Sequence, residues 1–200
     1  MKLHTYYKKN IYEAGCDEAG RGPLAGPVFT AAVILDPYKA IKGLNDSKLL
    51  SENERNSLRI EIEQKALDWS VFSIDVQEID RYNILQASLK AMRSCILNLK
   101  IKPDLVLVDG NQRIPYLDLV QYCMIKGDGR YQSIAAASIL AKTHRDEYMH
   151  NIHEEFPHYG WNENKGYATL YHRKAIEIYG ICKHHRKSFH IKIPEPELFS

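Results

Sequence analysis

The stretch IYEAGCDEAGRGPLAGPVFTAAVIL, residues 11–35, decides how the chain begins to fold. Residues 11–16 form a short apolar run, and residues 28–35 form a second run rich in β-branched side chains. The glycines and prolines between the two runs are typical of a turn. The pattern therefore predicts two strands joined as a β-hairpin or meander, with two carboxylates, Asp17 and Glu18, directly after the first strand.

Helices and strands alternate along the rest of the chain. Ser51 and Glu54 have the spacing of a capping box for a helix that reaches about residue 69. Further helices are predicted over residues 84–99, 134–155 and 169–179. Further strands are predicted over residues 71–76, 105–108 and 122–126. This alternation predicts an α/β fold with a mixed central sheet.

Composition limits the possible function classes without selecting one. The 200 residues are 44% hydrophobic and 26% charged, which is typical of one globular domain. The sequence has neither an apolar run of about 18 residues, as a membrane span needs, nor the apolar segment of a signal peptide. We therefore expect no membrane association and a cytoplasmic protein. The four cysteines contain no C-x-x-C pair, which argues against a zinc site or a disulfide framework.

The net charge of +2 is too small to indicate a nucleic-acid partner. Positive charge is nevertheless concentrated near the C-terminus, where Glu177 is the one acidic residue among Lys174, Lys183, Arg186, Lys187 and Lys192. Such an excess suits a phosphate backbone. A solvated basic surface explains it equally well.

Acidic residues follow three of the predicted strands. Asp17 and Glu18 follow the first strand, Asp109 follows residues 105–108, and Asp128 follows residues 122–126. Ligands of α/β sheets collect at strand ends, and four carboxylates at one edge would repel one another unless cations neutralised them. Oxygen ligands favour Mg²⁺ or Mn²⁺ over Zn²⁺. Two such ions about 4 Å apart could activate water and stabilise the leaving oxygen in phosphodiester hydrolysis.

Two considerations complicate this prediction. Each aspartate taken alone is at least as well explained as a turn residue that binds its own backbone. Successive strand residues also point to opposite faces, so Asp17 and Glu18 cannot both reach one metal ion from a regular strand. We therefore expect the strand to end or bulge at Glu18, or Glu18 to use its backbone oxygen as well.

The turn GRGPLA, residues 20–25, formally matches the dinucleotide-binding fingerprint G-x-G-x-x-A. That fingerprint requires a helix to begin within it, whereas residues 28–35 predict a strand. Asp17 and Glu18 would also repel a pyrophosphate. A loop whose main chain lies close to a sugar is the better interpretation, and a nucleotide-dependent oxidoreductase is the weaker one.

At these residues the sequence resembles ribonuclease HII, through CDEAGRGPLAGPV at residues 16–28. The resemblance continues, in family order and over nearly the whole chain, through LNDSKLLS, LVLVDGN, KGDGRYQSIAAASILAKTHRDEYM, NKGYAT and HRKSF. It implies a ribonuclease H-like fold in one domain, with a small helical extension from about residue 160 to residue 200. It also implies an endonuclease that cuts the RNA strand of RNA–DNA hybrids. Such an enzyme accepts single ribonucleotides in duplex DNA and cuts on their 5′ side, leaving 3′-hydroxyl and 5′-phosphate ends.

The same resemblance assigns roles to particular residues. The catalytic and metal-binding residues would be Asp17, Glu18, Asp109 and Asp128, with Mg²⁺ or Mn²⁺ as cofactor. The ribose 2′-hydroxyl, which distinguishes RNA from DNA, would be read by Gly20, Arg21 and Gly22 with help from Tyr167. Three basic residues would either contact phosphate or brace the site: Lys48, Lys142 and Arg145. Arg145 and Asp146 are further expected to form an ion pair within the long helix.

Two other classes of protein remain as alternatives. Ribonuclease HIII shares the fold and an acidic site, but it carries an N-terminal substrate-binding domain, and only 16 residues precede Asp17. A non-catalytic nucleic-acid-binding module would not need four converging carboxylates, which weaken phosphate affinity. We expect a monomer. The segment IPEPELF, residues 193–199, could dock a protein partner or could be a disordered end.

Overall fold

The computed structural model describes residues 3–190, and within them five strands form one sheet. The strands are β1 (Glu13–Ala19), β2 (Val28–Ile34), β3 (Asp68–Ile74), β4 (Leu105–Asp109) and β5 (Val120–Met124). Their order across the sheet is β3-β2-β1-β4-β5. The pairs β1–β2 and β2–β3 are antiparallel, whereas β1–β4 and β4–β5 are parallel. The predicted mixed sheet is therefore confirmed.

Helices cover both faces of this sheet. They are α1 (Glu52–Lys65), α2 (Val76–Tyr82), α3 (Ile84–Leu97), α4 (Gln132–Glu155), α5 (Trp161–Asn164) and α6 (Leu170–Tyr179). Helix α4 packs on one face with Ala136, Ile139 and Leu140, and α3 packs on the other with Leu89 and Met92. This two-sided arrangement confirms the α/β fold class. In the described part of the chain no helix is long and apolar enough to cross a membrane.

The first strand differs from the prediction at the residues that matter most. Strand β1 runs through Ala19 and stays paired with β2, with Glu18 opposite Thr30 and Ala19 opposite Phe29. The strand therefore neither ends nor bulges at Glu18, and that alternative is wrong, whereas use of the Glu18 backbone oxygen as a ligand stays a prediction. Asp17 and Glu18 lie within a regular strand, so their side chains point to opposite faces of the sheet.

Other helix and strand boundaries in the structure also differ from the predicted ones, for physical reasons. The capping box of Ser51 and Glu54 is confirmed. The helix that follows ends at Lys65, before residue 69, because Asp68–Ile74 pairs along its whole length with β2. The prediction of a strand to residue 76 is wrong at its end, since the Asp75 side chain caps α2. Strand β5 begins at Val120 and not at residue 122.

Gly15 sets the distance between β1 and α4. A Cβ atom on this residue would lie 2.1 Å from the carbonyl carbon of Ser133, so only glycine allows the contact. The close approach brings the polar positions of α4 against the neighbouring strand residues. It is one reason why Asp17, further along β1, is buried against this helix.

The C-terminal part packs on the turn between β1 and β2. Trp161 and Tyr159 form an apolar cluster with Leu24 and Ala25 of that turn. The glycine-rich turn is therefore inserted into the C-terminal helices. The described part of the predicted C-terminal extension contains the helices α5 and α6, followed by non-helical chain, and the assignment of residues 1–200 to one domain stays a prediction.

Candidate active site

The four acidic residues singled out from the sequence lie at one edge of the sheet. Asp17 reaches toward Ser138 of α4, and Glu18, on the opposite face, lines a cleft of about 160 Å³ beside Leu89 of α3. Asp109, the last residue of β4, lines the same cleft. Asp128 is buried in the short 3₁₀ turn Gly127–Gly129 that follows β5. The fold thus brings together residues that are up to 111 positions apart in the sequence.

A hydrogen bond orients each of these carboxylates. Asp17 Oδ1 accepts from the Glu18 N–H at 2.7 Å, and Asp109 Oδ1 accepts from the Gly127 N–H at 2.7 Å. Asp128 Oδ1 accepts from the Gly129 N–H at 3.0 Å. Glu18 Oε1 accepts from Arg21 Nη1 at 3.1 Å. Three of the four carboxylates are therefore held by main chain, which positions them independently of other side chains.

The carboxylates raise one another's pKa values. Burial raises the pKa of Asp17 well above its usual value, and the charges of Glu18 and Asp109 raise it further. Burial also raises the pKa of Glu18, although Arg21 opposes that change. The pKa of Asp128 rises through burial and then through the charge of Asp109. The edge is therefore an electrostatically unsatisfied anionic site.

The donor set fits a hard divalent cation. All four side chains offer oxygen only, and a cation would relieve the repulsion that contributes to the raised pKa values of Asp17, Glu18 and Asp128. Within residues 3–190, however, no three acidic, histidine or cysteine side chains are already arranged around one point as metal ligands. The fit is therefore one of chemistry and charge, and the carboxylates would have to come closer together to hold an ion.

Of the lysines singled out from the sequence, the structure places Lys48 beside the acidic edge. Its Nζ lies 3.8 Å from Asp128 Oδ2 on a side chain that is 81% exposed. Lys142 instead forms an ion pair with Asp146 one helical turn away. The expected ion pair between Arg145 and Asp146 is therefore wrong, because Lys142 occupies that carboxylate and Arg145 points elsewhere.

Arg145 is buried beneath the glycine-rich turn. Its guanidinium donates to the carbonyl oxygens of Ala25 at 3.1 Å, Pro27 at 3.1 Å and Lys165 at 2.9 Å. Gly20 has a φ of +93°, and a Cβ there would lie 2.0 Å from Arg145 Nε. Of the two roles left open by the sequence, phosphate contact and bracing, these contacts favour bracing.

Arg186 is a second buried arginine under the same turn, and the sequence did not single it out as a site residue. It donates to the carbonyl oxygens of Gly20 at 2.6 Å, Arg21 at 2.9 Å and Gly26 at 2.9 and 2.8 Å. Its assignment to a basic surface is therefore wrong, because no part of its side chain reaches solvent. Its place in the block HRKSF was the available signal.

Tyr167 stands beside the glycine-rich turn, as the predicted role requires. A Cβ on Gly22 would lie 3.7 Å from Tyr167 Cε1, and Tyr167 is 47% exposed. Arg21 is half-exposed on the same turn. The turn and the tyrosine therefore form one open surface next to Glu18, whose carboxylate the Arg21 side chain contacts.

A family model described as ribonuclease HII matches residues 14–192. The chain belongs to the ribonuclease HII family. It is 51% identical over 196 residues to the ribonuclease HII of Phocaeicola vulgatus, covering 98% of both chains. It is 54% identical over 185 residues to that of Christiangramia forsetii, covering 92% of this chain and 93% of the relative. The resemblance read from the sequence is confirmed, and with it the assignment as a nuclease with ribonuclease H activity.

Solved structures support the same fold. Ribonuclease HII of Archaeoglobus fulgidus, solved in complex with PCNA, is 26% identical with a TM-score of 0.77, covering 94% of this chain and 98% of that one. Ribonuclease H2 of Pyrococcus horikoshii OT3 is 24% identical with a TM-score of 0.75, covering 90% and 95%. The second likeness shows the fold alone.

A buried histidine pair supports Tyr167 in this ribonuclease HII family member. His172 Nδ1 lies 2.9 Å from the Tyr167 carbonyl oxygen, so it carries the proton and Nε2 is an acceptor. His172 Nε2 accepts from Trp161 Nε1 at 3.0 Å and faces His185 Nε2 at 3.2 Å. His185 Nδ1 accepts the Cys182 N–H at 3.0 Å. With both rings neutral, the single lone pair of His172 Nε2 is shared between the Trp161 and His185 donors. Sequence reasoning did not find this network.

Proposed function

We propose that this protein hydrolyses the RNA strand of RNA–DNA hybrids and cuts on the 5′ side of single ribonucleotides in duplex DNA. The products would carry 3′-hydroxyl and 5′-phosphate ends. One observation carries the proposal: four buried or half-buried carboxylates meet at a sheet edge directly beside a glycine-rich turn and an exposed tyrosine. The first element suits metal-assisted phosphodiester hydrolysis, and the second suits recognition of a sugar by main chain.

The acidic edge would hold Mg²⁺ or Mn²⁺ through Asp17, Glu18, Asp109 and Asp128. Two bound ions would supply an activated water and stabilise the leaving oxygen. The main-chain hydrogen bonds to Asp17, Asp109 and Asp128 orient the ligands before an ion arrives. A solved ribonuclease HIII from the structural comparison contains Mn²⁺. Glu18, which accepts a hydrogen bond from Arg21, would offer its carboxylate from the cleft that it shares with Asp109.

The glycine-rich turn would read the ribose. Gly20, Arg21 and Gly22 would offer main-chain groups to the 2′-hydroxyl, and the Tyr167 ring would lie against the next sugar. Lys48, exposed beside Asp128, is placed to meet a phosphate. Lys142 and Arg145 would brace the site, because their charged groups already have partners within the protein.

The remaining proposals concern the whole molecule. We propose a cytoplasmic monomer of one domain that acts on RNA–DNA hybrids and on duplex DNA containing ribonucleotides. The segment at residues 193–199, a candidate for docking a protein partner, lies outside the described residues. The solved complex of the Archaeoglobus fulgidus enzyme with PCNA is one example of such a partnership.

The test is cleavage of duplex DNA that contains one ribonucleotide, with Mg²⁺ or with EDTA and with an all-DNA duplex as control. We expect one cut on the 5′ side of the ribonucleotide, in Mg²⁺ only, with no cut in the control. Binding without cleavage under all conditions would instead support a non-catalytic binding module. End-labelled products compared with chemical standards give the position and the chemistry of the cut.

A further inference from the structure

Arg186 makes an unusual set of contacts for a buried charge. All four of its hydrogen bonds go to backbone carbonyl oxygens, and all three acceptor residues belong to the turn between β1 and β2. Burial of a guanidinium is expensive unless hydrogen bonds compensate for lost water. Here the compensation comes from a single loop, so the arginine and the conformation of that loop depend on each other.

The contacts determine where the loop's N–H groups point. In a trans peptide unit the carbonyl oxygen and the N–H of the following residue lie on opposite sides. The Gly20 and Arg21 carbonyls both point to Arg186, at 2.6 and 2.9 Å. The N–H groups of Arg21 and Gly22 therefore point away from Arg186. Tyr167 also lies next to this part of the turn, since a Cβ on Gly22 would be 3.7 Å from its ring.

We propose that Arg186 is a positioning residue for recognition of the ribose 2′-hydroxyl. It turns two consecutive peptide units so that the N–H groups of Arg21 and Gly22 form a pair of donors toward the substrate. This inference rests on the proposed function, because it names the residue that prepares the loop for the ribose. Arg186 touches no substrate atom; it acts through the main chain of Gly20 and Arg21.

The shape of the guanidinium matters for this role. Arginine carries five N–H donors in a rigid planar fork, whereas lysine carries three on one flexible point charge. Lysine at position 186 would keep the positive charge but could not hold Gly20, Arg21 and Gly26 at once. Arg145 ties the other end of the turn, at Ala25, to Lys165 near Tyr167. The two arginines thus fix the position of the turn relative to Tyr167.

The experiment compares Arg186→Lys with Tyr159→Phe as a matched control. Tyr159 is also buried in the C-terminal part, and Phe keeps the ring that packs on the turn and removes only the hydroxyl, which donates to the Gly180 carbonyl at 2.9 Å. For each protein the affinity for a duplex with one ribonucleotide is divided by the affinity for the same duplex in DNA alone. The titrations are done in Ca²⁺, which takes more ligands at longer distances than Mg²⁺ and is therefore expected to allow binding without turnover. Melting temperatures are recorded in parallel.

We expect Arg186→Lys to reduce the preference for the ribonucleotide about three- to tenfold, the effect of one or two weakened hydrogen bonds. Tyr159→Phe should lower the melting temperature and leave the preference unchanged. An unchanged preference in Arg186→Lys, with a lowered melting temperature, would overturn the positioning role while leaving the proposed function intact. A wild-type protein that neither prefers nor cuts the ribonucleotide duplex would overturn both.

A measurement on the wild-type protein decides the matter if Arg186→Lys does not fold. The amide signals of Arg21 and Gly22 in ¹⁵N-labelled protein are followed as each duplex is added in Ca²⁺. We expect both signals to shift more with the ribonucleotide duplex than with the DNA duplex. Identical shifts with the two duplexes would show that these N–H groups do not meet the 2′-hydroxyl, and would overturn the proposal.

Discussion

The acidic edge and the glycine-rich turn lie side by side, yet the fold stabilises them in opposite ways. At the edge, Asp17, Glu18 and Asp128 have raised pKa values because burial and like charges act together. At the turn, Arg145 and Arg186 satisfy backbone carbonyl oxygens from beneath. On our proposal the edge would therefore be complete only with cations bound, whereas the carbonyl oxygens of the turn already have partners within the protein. Separate assembly of the two halves predicts that cutting and ribose recognition can be lost separately.

The largest effect is expected at Asp109, which neighbours each of the other three carboxylates electrostatically. Asp109→Asn keeps the side-chain shape but removes a charge that the cation needs. We expect the single-turnover cleavage rate to fall at least about a hundredfold, a loss typical of groups that stabilise charge in a transition state. The folded state should survive, and without divalent cations it should be at least as stable as the wild type, because repulsion is removed.

Thermal melts with and without Mg²⁺ serve as the control for that variant. Mg²⁺ should raise the melting temperature of the wild type more than that of Asp109→Asn, since only the wild type has the full charge to bind it. The same pattern is expected for Asp17→Asn and Glu18→Gln. Turnover at the wild-type rate by a folded Asp109→Asn protein would remove this residue from the catalytic set.

A smaller effect is expected at Asp128. Its like-charge neighbours are Asp109 and Asp46, and it also faces Lys48, so it lies at the periphery of the cluster. We expect Asp128→Asn to cost about tenfold less in single-turnover rate than Asp109→Asn, in keeping with an interaction weaker by about 1.4 kcal/mol. Equal losses of single-turnover rate in the two variants would show that Asp128 is as important to cleavage as Asp109.

Tyr167→Ala tests the proposed recognition of the sugar at the glycine-rich turn. We expect cleavage at a single ribonucleotide to suffer about tenfold more than cleavage of continuous hybrid, since a stacking ring contributes about 1–3 kcal/mol. The ring should fit a deoxyribose better than a sugar carrying a 2′-hydroxyl, so less is lost on the hybrid. The ratio of the two kcat/KM values is the measurement. A lowered melting temperature with an unchanged ratio would assign Tyr167 to packing alone.

The smallest effect concerns the histidine pair below Tyr167. Burial, and then the charge of His172, lower the pKa of His185 to about 4. As the pH falls, His185 therefore binds a proton in the unfolded chain before it does so in the folded protein. Its contribution to the free energy of unfolding is complete above pH 6.5 and is lost as the pH falls toward 4. Between pH 7 and 5.5 we expect a loss of about 1 kcal/mol that His185→Gln diminishes. Urea unfolding at the two pH values checks this, and parallel losses in both proteins would contradict it.

The sequence was most informative where a local pattern carries the chemistry. Asp109 and Asp128 were predicted at strand ends, and the structure places both at the expected edge. Tyr167 was predicted to lie near the glycine-rich turn, and it does. The positions of the two aspartates follow from strand order and from turn residues, which are local features of the chain, whereas that of Tyr167 came from the resemblance to ribonuclease HII.

The sequence was least informative where a contact depends on distant backbone. Arginines are seldom fully buried, so nothing local suggests that Arg145 and Arg186 lie beneath a loop. The regular strand at Asp17 and Glu18 likewise depends on pairing with β2, which overrides the chemical argument for a bulge. The exposed edge strand β5 shows only a weak alternation of polar and apolar residues, so the predicted boundaries of this strand differ from those in the structure.

The central claim is that the acidic edge cuts while the glycine-rich turn reads the sugar. The most direct test is the affinity of Asp109→Asn in Ca²⁺ for a duplex with one ribonucleotide, divided by its affinity for the same duplex in DNA alone. We predict the wild-type ratio, together with nearly complete loss of cleavage in Mg²⁺. A ratio reduced to one alongside the loss of cleavage would contradict the account, because recognition would then depend on the carboxylates.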